Sequence, residues 1–177
     1  LYRRYTGESL AVKLSDFADV SERIQYLVTQ VEEITKIDNF GAYLTAMLEI
    51  DAFFMNEDRH TNNIAVIYNE KTQKYELSPF FDQGLCMFAD INQDYPIDQS
   101  LEYCLEKIEA KPFSSDFDIQ LDAAEELYGI QIGFQFTFKD IQIYLQKNSE
   151  NYPREVIRRV EQLLRRQMRK YGYLMKK

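Results

Sequence analysis

Apolar positions along this chain change their period several times, and each change marks an element boundary. Residues 1–20 keep no firm period. Beyond them Ile24, Leu27, Val28, Val31 and Ile34 recur three and four apart, which is the spacing of one helix face. Ser21 stands where a first-turn cap belongs, with Glu22 just behind it. From Asp38 or Asn39 a second helix opens in which Leu44, Met47, Leu48, Phe54 and Met55 share or border one face. Tyr43, Ile50 and Phe53 widen that stripe over most of the circumference, so this helix is expected at the centre of the core. It runs straight into the polar sequence Asn56, Glu57, Asp58, Arg59, His60.

The pattern then shortens. Residues 64–68 and 75–77 are β-prone runs joined by a polar connection at 69–74, which predicts a β-hairpin. Pro79 ends the second strand, and Phe80, Phe81, Asp82, Gln83 and Gly84 follow, with Gly84 expected to allow a backbone bend. Residues 89–99 carry Pro96 and read as an exposed loop. Leu101, Cys104, Leu105 and Ile108 predict a helix ending near Ala110, residues 119–127 a short one stopped by Gly129, and residues 138–146 another. Residues 130–136 alternate only loosely. After Pro153, Val156, Ile157, Val160, Leu163, Leu164, Met168 and Tyr171 form a final apolar stripe, with arginines on the face opposite, expected at solvent. The expected fold is mainly α with one small hairpin, in a single domain over residues 1–177 whose helices mostly follow the hairpin.

Composition narrows the function classes. At 177 residues and 45% apolar content the chain can build one core. No stretch nears the roughly 18 apolar residues of a membrane-crossing helix, and charges interrupt residues 1–20, so a soluble, cytoplasmic protein without membrane contact is expected. Residues 154–177 hold nine Lys or Arg against Glu155 and Glu161, a net +7; the whole chain is −8, which leaves −15 on the rest. An acidic body of that kind argues against direct nucleic-acid binding. Cys86 and Cys104, the only cysteines, read as buried free thiols, and a single histidine, His60, excludes sites built from several imidazoles.

Candidate chemistry gathers around the hairpin. Asp58 and Asn63 lie five apart before it, and Asp82 lies just beyond it, nineteen after Asn63. A hairpin returns the chain to its start, so the three side chains can share one cleft. Phosphoryl transfer needs an acid facing the acceptor hydroxyl and oxygen ligands for magnesium. Asp58 suits the first role, and the amide oxygen of Asn63 with the carboxylate of Asp82 suits the second.

The sequence Asp58, Arg59, His60, two residues, Asn63 resembles the catalytic loop of HipA-like bacterial serine/threonine kinases and, more distantly, of phosphatidylinositol kinases. Phe81, Asp82 and Gly84 are similar to the metal-binding segment of those families, and the proline shortly before the acid is common in HipA-like enzymes. The likeness covers roughly residues 44–85. It implies a protein-kinase-like C-terminal lobe, ATP and Mg2+ as cofactors and a protein substrate. Asp58 would be the catalytic aspartate, Asn63 and Asp82 the metal ligands, Arg59 and His60 the loop's supports, and Gly84 the flexible glycine of the metal loop. The chain departs from that pattern ahead of Asp58, where no glycine-rich loop and no strand lysine paired with a helix glutamate is present in only 57 residues. The expectation is therefore that the N-terminal lobe lies on a missing segment or a separate chain, or that the protein is shortened and has lost full catalysis.

Each residue also has a plainer reading. Asp58 and Asn63 serve equally well as turn and cap residues without Asp82. His60 is expected as a buried hydrogen-bonding strut, and Arg59 either pairs with an acid beyond Asp82 or faces solvent. Asn56, Glu57 and Asn62 need no catalytic task. Asp90, Asp94, Asp98 and Glu102 form a solvated acidic loop, where a basic substrate is the alternative. Two rivals stand beside the kinase: a lipid or small-molecule kinase, and a non-catalytic binding or regulatory subunit, such as half of a toxin–antitoxin pair with an antitoxin-like partner.

Overall fold

Burial of the long apolar segment organises everything else. The computed structural model describes residues 6–176, in which seven α-helices and one two-stranded sheet are set out along the chain. They are α1 (Leu10–Leu14), α2 (Val20–Thr35), α3 (Phe40–Phe54), β1 (Val66–Asn69), β2 (Lys74–Leu77), α4 (Leu101–Lys107), α5 (Phe117–Tyr128), α6 (Phe138–Lys147) and α7 (Arg154–Lys170). Short 3-10 turns cover Thr61–Asn63 and Gly172–Leu174. The mainly helical fold with one hairpin agrees with the sequence pattern, and β1 and β2 pair antiparallel with Val66 opposite Leu77 and Asn69 opposite Lys74. No helix among the described residues is long and apolar enough to cross a membrane.

Helix α3 is buried on nearly every side, as its wide stripe predicts, and it packs chiefly on α5 with α2 and α7 beside it. Gly41 makes that approach possible: a Cβ there would stand 2.5 Å from two ring carbons of Tyr128. At the other end Phe53 is fully buried in an aromatic cluster, its ring centroid 5.0 Å from Phe54, 4.5 Å from Phe134 and 5.8 Å from Phe136. Glu49, on the same helix, is sealed from solvent. Its two oxygens accept the backbone N–H groups of Gln131 and Ile132 at 2.8 and 2.7 Å. Burial pushes this carboxyl above its ordinary pKa, while the two N–H donors pull it back. Residues 130–136 thus follow α3 without forming a strand, apart from one parallel bridge between Phe134 and Met175.

Element ends differ from the sequence pattern where polar side chains decide them. Asp19, not Ser21, caps α2, its carboxylate accepting from the N–H of Glu22. Asp116 takes the N–H groups of Asp118 and Ile119, which starts α5 two residues earlier than the apolar spacing indicates and brings Phe117 into the core. Helix α4 stops at Lys107 because Ile108 turns extended. Tyr95 is buried, as is Phe88 just before the segment at 89–99, so that segment is less exposed than expected. Of the two free cysteines Cys104 is buried and Cys86 only half-buried, with burial pushing the Cys86 thiol up to about 12.

The final helix departs from the expected division into an apolar and a solvated face. Leu163 and Leu164 are buried and Arg158, Arg165, Arg166 and Arg169 exposed, but Arg159 is buried. Its guanidinium donates to the carbonyls of Tyr95, Pro96 and Gln99. A cation on a helix thereby satisfies three loop carbonyls that water cannot reach freely.

Phe53→Ala, which empties the centre of the aromatic cluster, is expected to cost ~3–5 kcal/mol of unfolding free energy, read from urea denaturation.

Candidate functional site

A helix leaves its last four carbonyls without partners inside the helix, and those of α3 lie in the protein interior. Asp51 O accepts the N–H groups of both Met55 and Asn56, Ala52 O accepts the Gln167 side-chain amide of α7 at 2.8 Å, and Phe54 O accepts the N–H of Met87 at 2.9 Å. Met55 adopts the left-handed conformation that ends the helix, with φ 54°. The chain therefore leaves α3 in a fixed direction, into the polar sequence at 56–63.

What holds that sequence is an ion pair that the sequence pattern does not predict. Arg59 is fully buried, and its Nε and Nη2 donate to the two oxygens of Asp51 at 2.7 and 3.0 Å. It neither faces solvent nor pairs with an acid beyond Asp82. Its remaining nitrogen, Nη1, donates to Asn63 O and to Phe81 O, each at 3.0 Å. One nitrogen thus pins the start of the hairpin to the residue before Asp82. Burial pushes the Asp51 carboxyl up, against the pull of Arg59 and of the Asn56 amide.

Asn56 does more than add polarity. Its amide nitrogen donates to Asp51 Oδ1 at 2.8 Å, and its oxygen accepts the N–H of Asp58 at 3.2 Å. Asn63 is buried and donates its side-chain amide to Asp58 O at 2.9 Å, the same carbonyl that accepts the N–H of His60. Asp58 and Asn63 are therefore joined through the backbone of one and the side chain of the other. With its nitrogen committed, Asn63 keeps its Oδ1 free of any hydrogen bond among the described residues.

The Asp58 carboxylate is partly exposed, at 29%, and neither oxygen is hydrogen-bonded among the described residues. Lys111 Nζ stands 3.7 Å from Oδ1, and His60 Nε2 stands 3.9 Å from Oδ2, both beyond hydrogen-bond reach. His60 is not the buried hydrogen-bonding strut expected of it. Its ring is 42% exposed, and its Nδ1 is the one buried side-chain polar atom among the described residues that lacks a partner. Its support of the loop comes from the backbone, through the N–H that reaches Asp58 O and the carbonyl that accepts from Asn63.

Asp82 is exposed and makes no hydrogen bond or ion pair among the described residues. The bend expected at Gly84 falls on Asp82 itself, with φ 56°, and again at Met87 and Phe88, with φ 56° and 60°. Aspartate tolerates this left-handed region better than most residues, whereas Met87 and Phe88 need outside support. The bond from Met87 to Phe54 O and the burial of Phe88 supply it. Gly84 has no positive φ, and a side chain there would meet nothing within 4 Å. No three His, Cys, Asp or Glu side chains gather as a metal cage among the described residues. A groove of about 510 Å³ behind the 3-10 turn reaches this region through Thr61 and Asn62, not through Asp58, Asn63 or Asp82.

On the other flank, the hydroxyl of buried Tyr95 donates to Glu57, and the Tyr95 carbonyl is one of those that Arg159 holds. Asp94, expected on a solvated loop, accepts from Lys107 Nζ at 2.8 Å. Burial raises the Glu57 carboxyl above its ordinary value, and the Tyr95 hydroxyl partly offsets this. Lys111 and Asp51 carry no pattern that marks them along the chain, and only the folding together of distant segments brings them to the site.

Removing one partner of the buried pair, in Asp51→Ala or Arg59→Ala, is expected to cost ~3–5 kcal/mol in urea denaturation, while Asp51→Leu with Arg59→Met costs clearly less than the two single losses together. For Glu57 the raised pKa means that folding favours the neutral acid. Its contribution is full below the ordinary 4.5 and is lost as pH rises through the folded-state pKa. Glu57→Gln, which keeps an acceptor for Tyr95, is expected to remove that fall from the pH dependence of the urea midpoint.

No protein-family model, curated protein or solved structure matches this chain.

Proposed function

We propose that this chain supplies the catalytic loop and the metal-binding segment of a HipA-like kinase, which transfers a phosphoryl group from ATP to a serine or threonine hydroxyl of a protein. The observation that carries the reading is the Asp58 carboxylate. It is half-buried, free of hydrogen bonds on both oxygens among the described residues, and rooted through Asn56 and Asn63 in a loop that a buried ion pair holds. Such a group is ready to accept a bond from an incoming hydroxyl, to orient it, and to take its proton late in transfer. A carboxylate serving only as a cap or turn residue would have at least one oxygen spent on backbone N–H groups, as Asp116 has with Oδ1.

Magnesium, a hard cation that takes oxygen ligands and keeps several waters, would suit an amide oxygen and a carboxylate as its protein ligands. Asn63 Oδ1 and the Asp82 carboxylate are the oxygens that would hold it, the first left free because the amide nitrogen is committed to Asp58 O. When bound, magnesium would neutralise charge on the nucleotide phosphates. Arg59 serves both sides of this arrangement by fixing the carbonyls of Asn63 and Phe81 on one nitrogen. The choice of a protein rather than a lipid as acceptor rests on the resemblance of the loop to HipA-like enzymes, as does the kinase-like C-terminal lobe.

The test is magnesium-dependent transfer of labelled phosphate from ATP to protein by the full-length gene product, beside Asp58→Asn and Asp82→Asn. Asp58→Asn is expected to lower kcat by about 10²–10⁴-fold, the usual scale for a positioned acid or base, with little change in thermal stability. Asp82→Asn is expected to raise the magnesium concentration needed. Full activity in both variants would refute the assignment.

A further inference from the structure

An ammonium beside Asp58 comes from far along the chain. Lys111 sits in the segment between α4 and α5, and its Nζ lies 3.7 Å from Asp58 Oδ1. The backbone that carries it is firmly held. Ala110 donates its N–H to Ser115 O at 2.8 Å, Gln120 of α5 donates to Lys111 O at 3.2 Å, and fully buried Phe113 offers its carbonyl to Arg23 of α2 at 2.7 Å. The side chain itself is about half exposed. A fixed base with a half-exposed ammonium, paired to Asp58 only across 3.7 Å, is poorly suited to a stabilising salt bridge, because a long pair in water contributes little. It is well suited to meeting an anion that arrives from solvent.

On the reading of Asp58 given above, we infer that Lys111 is a catalytic residue that contacts the phosphoryl group during its transfer. The acceptor oxygen forms its bond to phosphorus as the bond from phosphorus to the nucleotide's bridging oxygen breaks. That electron pair leaves on the diphosphate, and the hydroxyl proton passes to Asp58. Lys111 stays an ammonium throughout and donates to a non-bridging oxygen, where negative charge spreads in the transition state. Asp58 binds the acceptor, so a cation within 4 Å of its carboxylate stands on the acceptor side of the reacting phosphorus. From there it can also orient Asp58 until the phosphoryl group draws it away.

The experiment compares Lys111→Met and Lys111→Arg with the wild type and with Asp58→Asn in phosphate transfer from ATP by the full-length gene product. Lys111→Met is expected to lower kcat about 10²-fold, as loss of one transition-state donor does. KM for ATP with magnesium should change less than about threefold, because the contact is made chiefly in the transition state. Lys111→Arg should recover most of the loss, and the thermal midpoints should stay together. Lys111→Met within about threefold of wild type beside an inactive Asp58→Asn, or equal losses in the Met and Arg variants, would overturn the inference while leaving the role of Asp58 intact. No transfer by the wild type, or full activity in Asp58→Asn, would remove the kinase reading and the role of Lys111 with it.

Discussion

The contact between Asp51 and Arg59 is the constraint from which the organisation of residues 51–82 follows. Two charges withdrawn from water carry a large desolvation cost, and mutual attraction offsets it only when every donor and acceptor is used. Here all the strong partners are present: both oxygens of Asp51 are taken by Arg59, one of them also by Asn56, and the third nitrogen of Arg59 finds two carbonyls. A hydrophobic pair of similar volume could fill the same space, but it could not fix the directions of four chain segments at once. The ion pair specifies the path of the loop as much as it contributes to stability.

The helical plan was largely legible because burial on one face leaves a periodic mark. The width of the apolar stripe on α3 foretold its central place, and the two β-prone runs around a polar connection foretold the hairpin. Boundaries were harder to read where a side chain overrules spacing. Asp19 and Asp116 cap their helices by hydrogen bonds that do not depend on any apolar repeat, so the apolar pattern alone began one helix late and credited the wrong residue with the other cap.

For the proposed site, the sequence pattern drew Asp58, Asn63 and Asp82 together on spacing alone and misread the residues that support them. Arg59 is a long charged residue beside other polar ones, a composition that ordinarily means solvent, and its burial depends on an acid eight residues earlier on the inner side of a helix. Asp51 itself was hidden by the greasy residues around it. Gly84 is the obvious place for an unusual backbone, yet the unusual conformations belong to Asp82, which tolerates them by itself, and to Met87 and Phe88, where a bond to Phe54 O and burial compensate the strain. Lys111 could not have been found from neighbours in sequence, since 53 positions separate it from Asp58.

Helix α7 holds two distant parts of the molecule at positions eight residues apart, about 12 Å along its axis. Arg159 grips the segment around Tyr95, whose hydroxyl reaches Glu57 beside Asp58, and Gln167 grips the carbonyl of Ala52 next to Asp51. The helix therefore works as a crossbar fastened to both approaches of the polar loop. The outward-facing row of arginines and the neighbourhood of Asp58 are thereby joined through two side chains of a single helix.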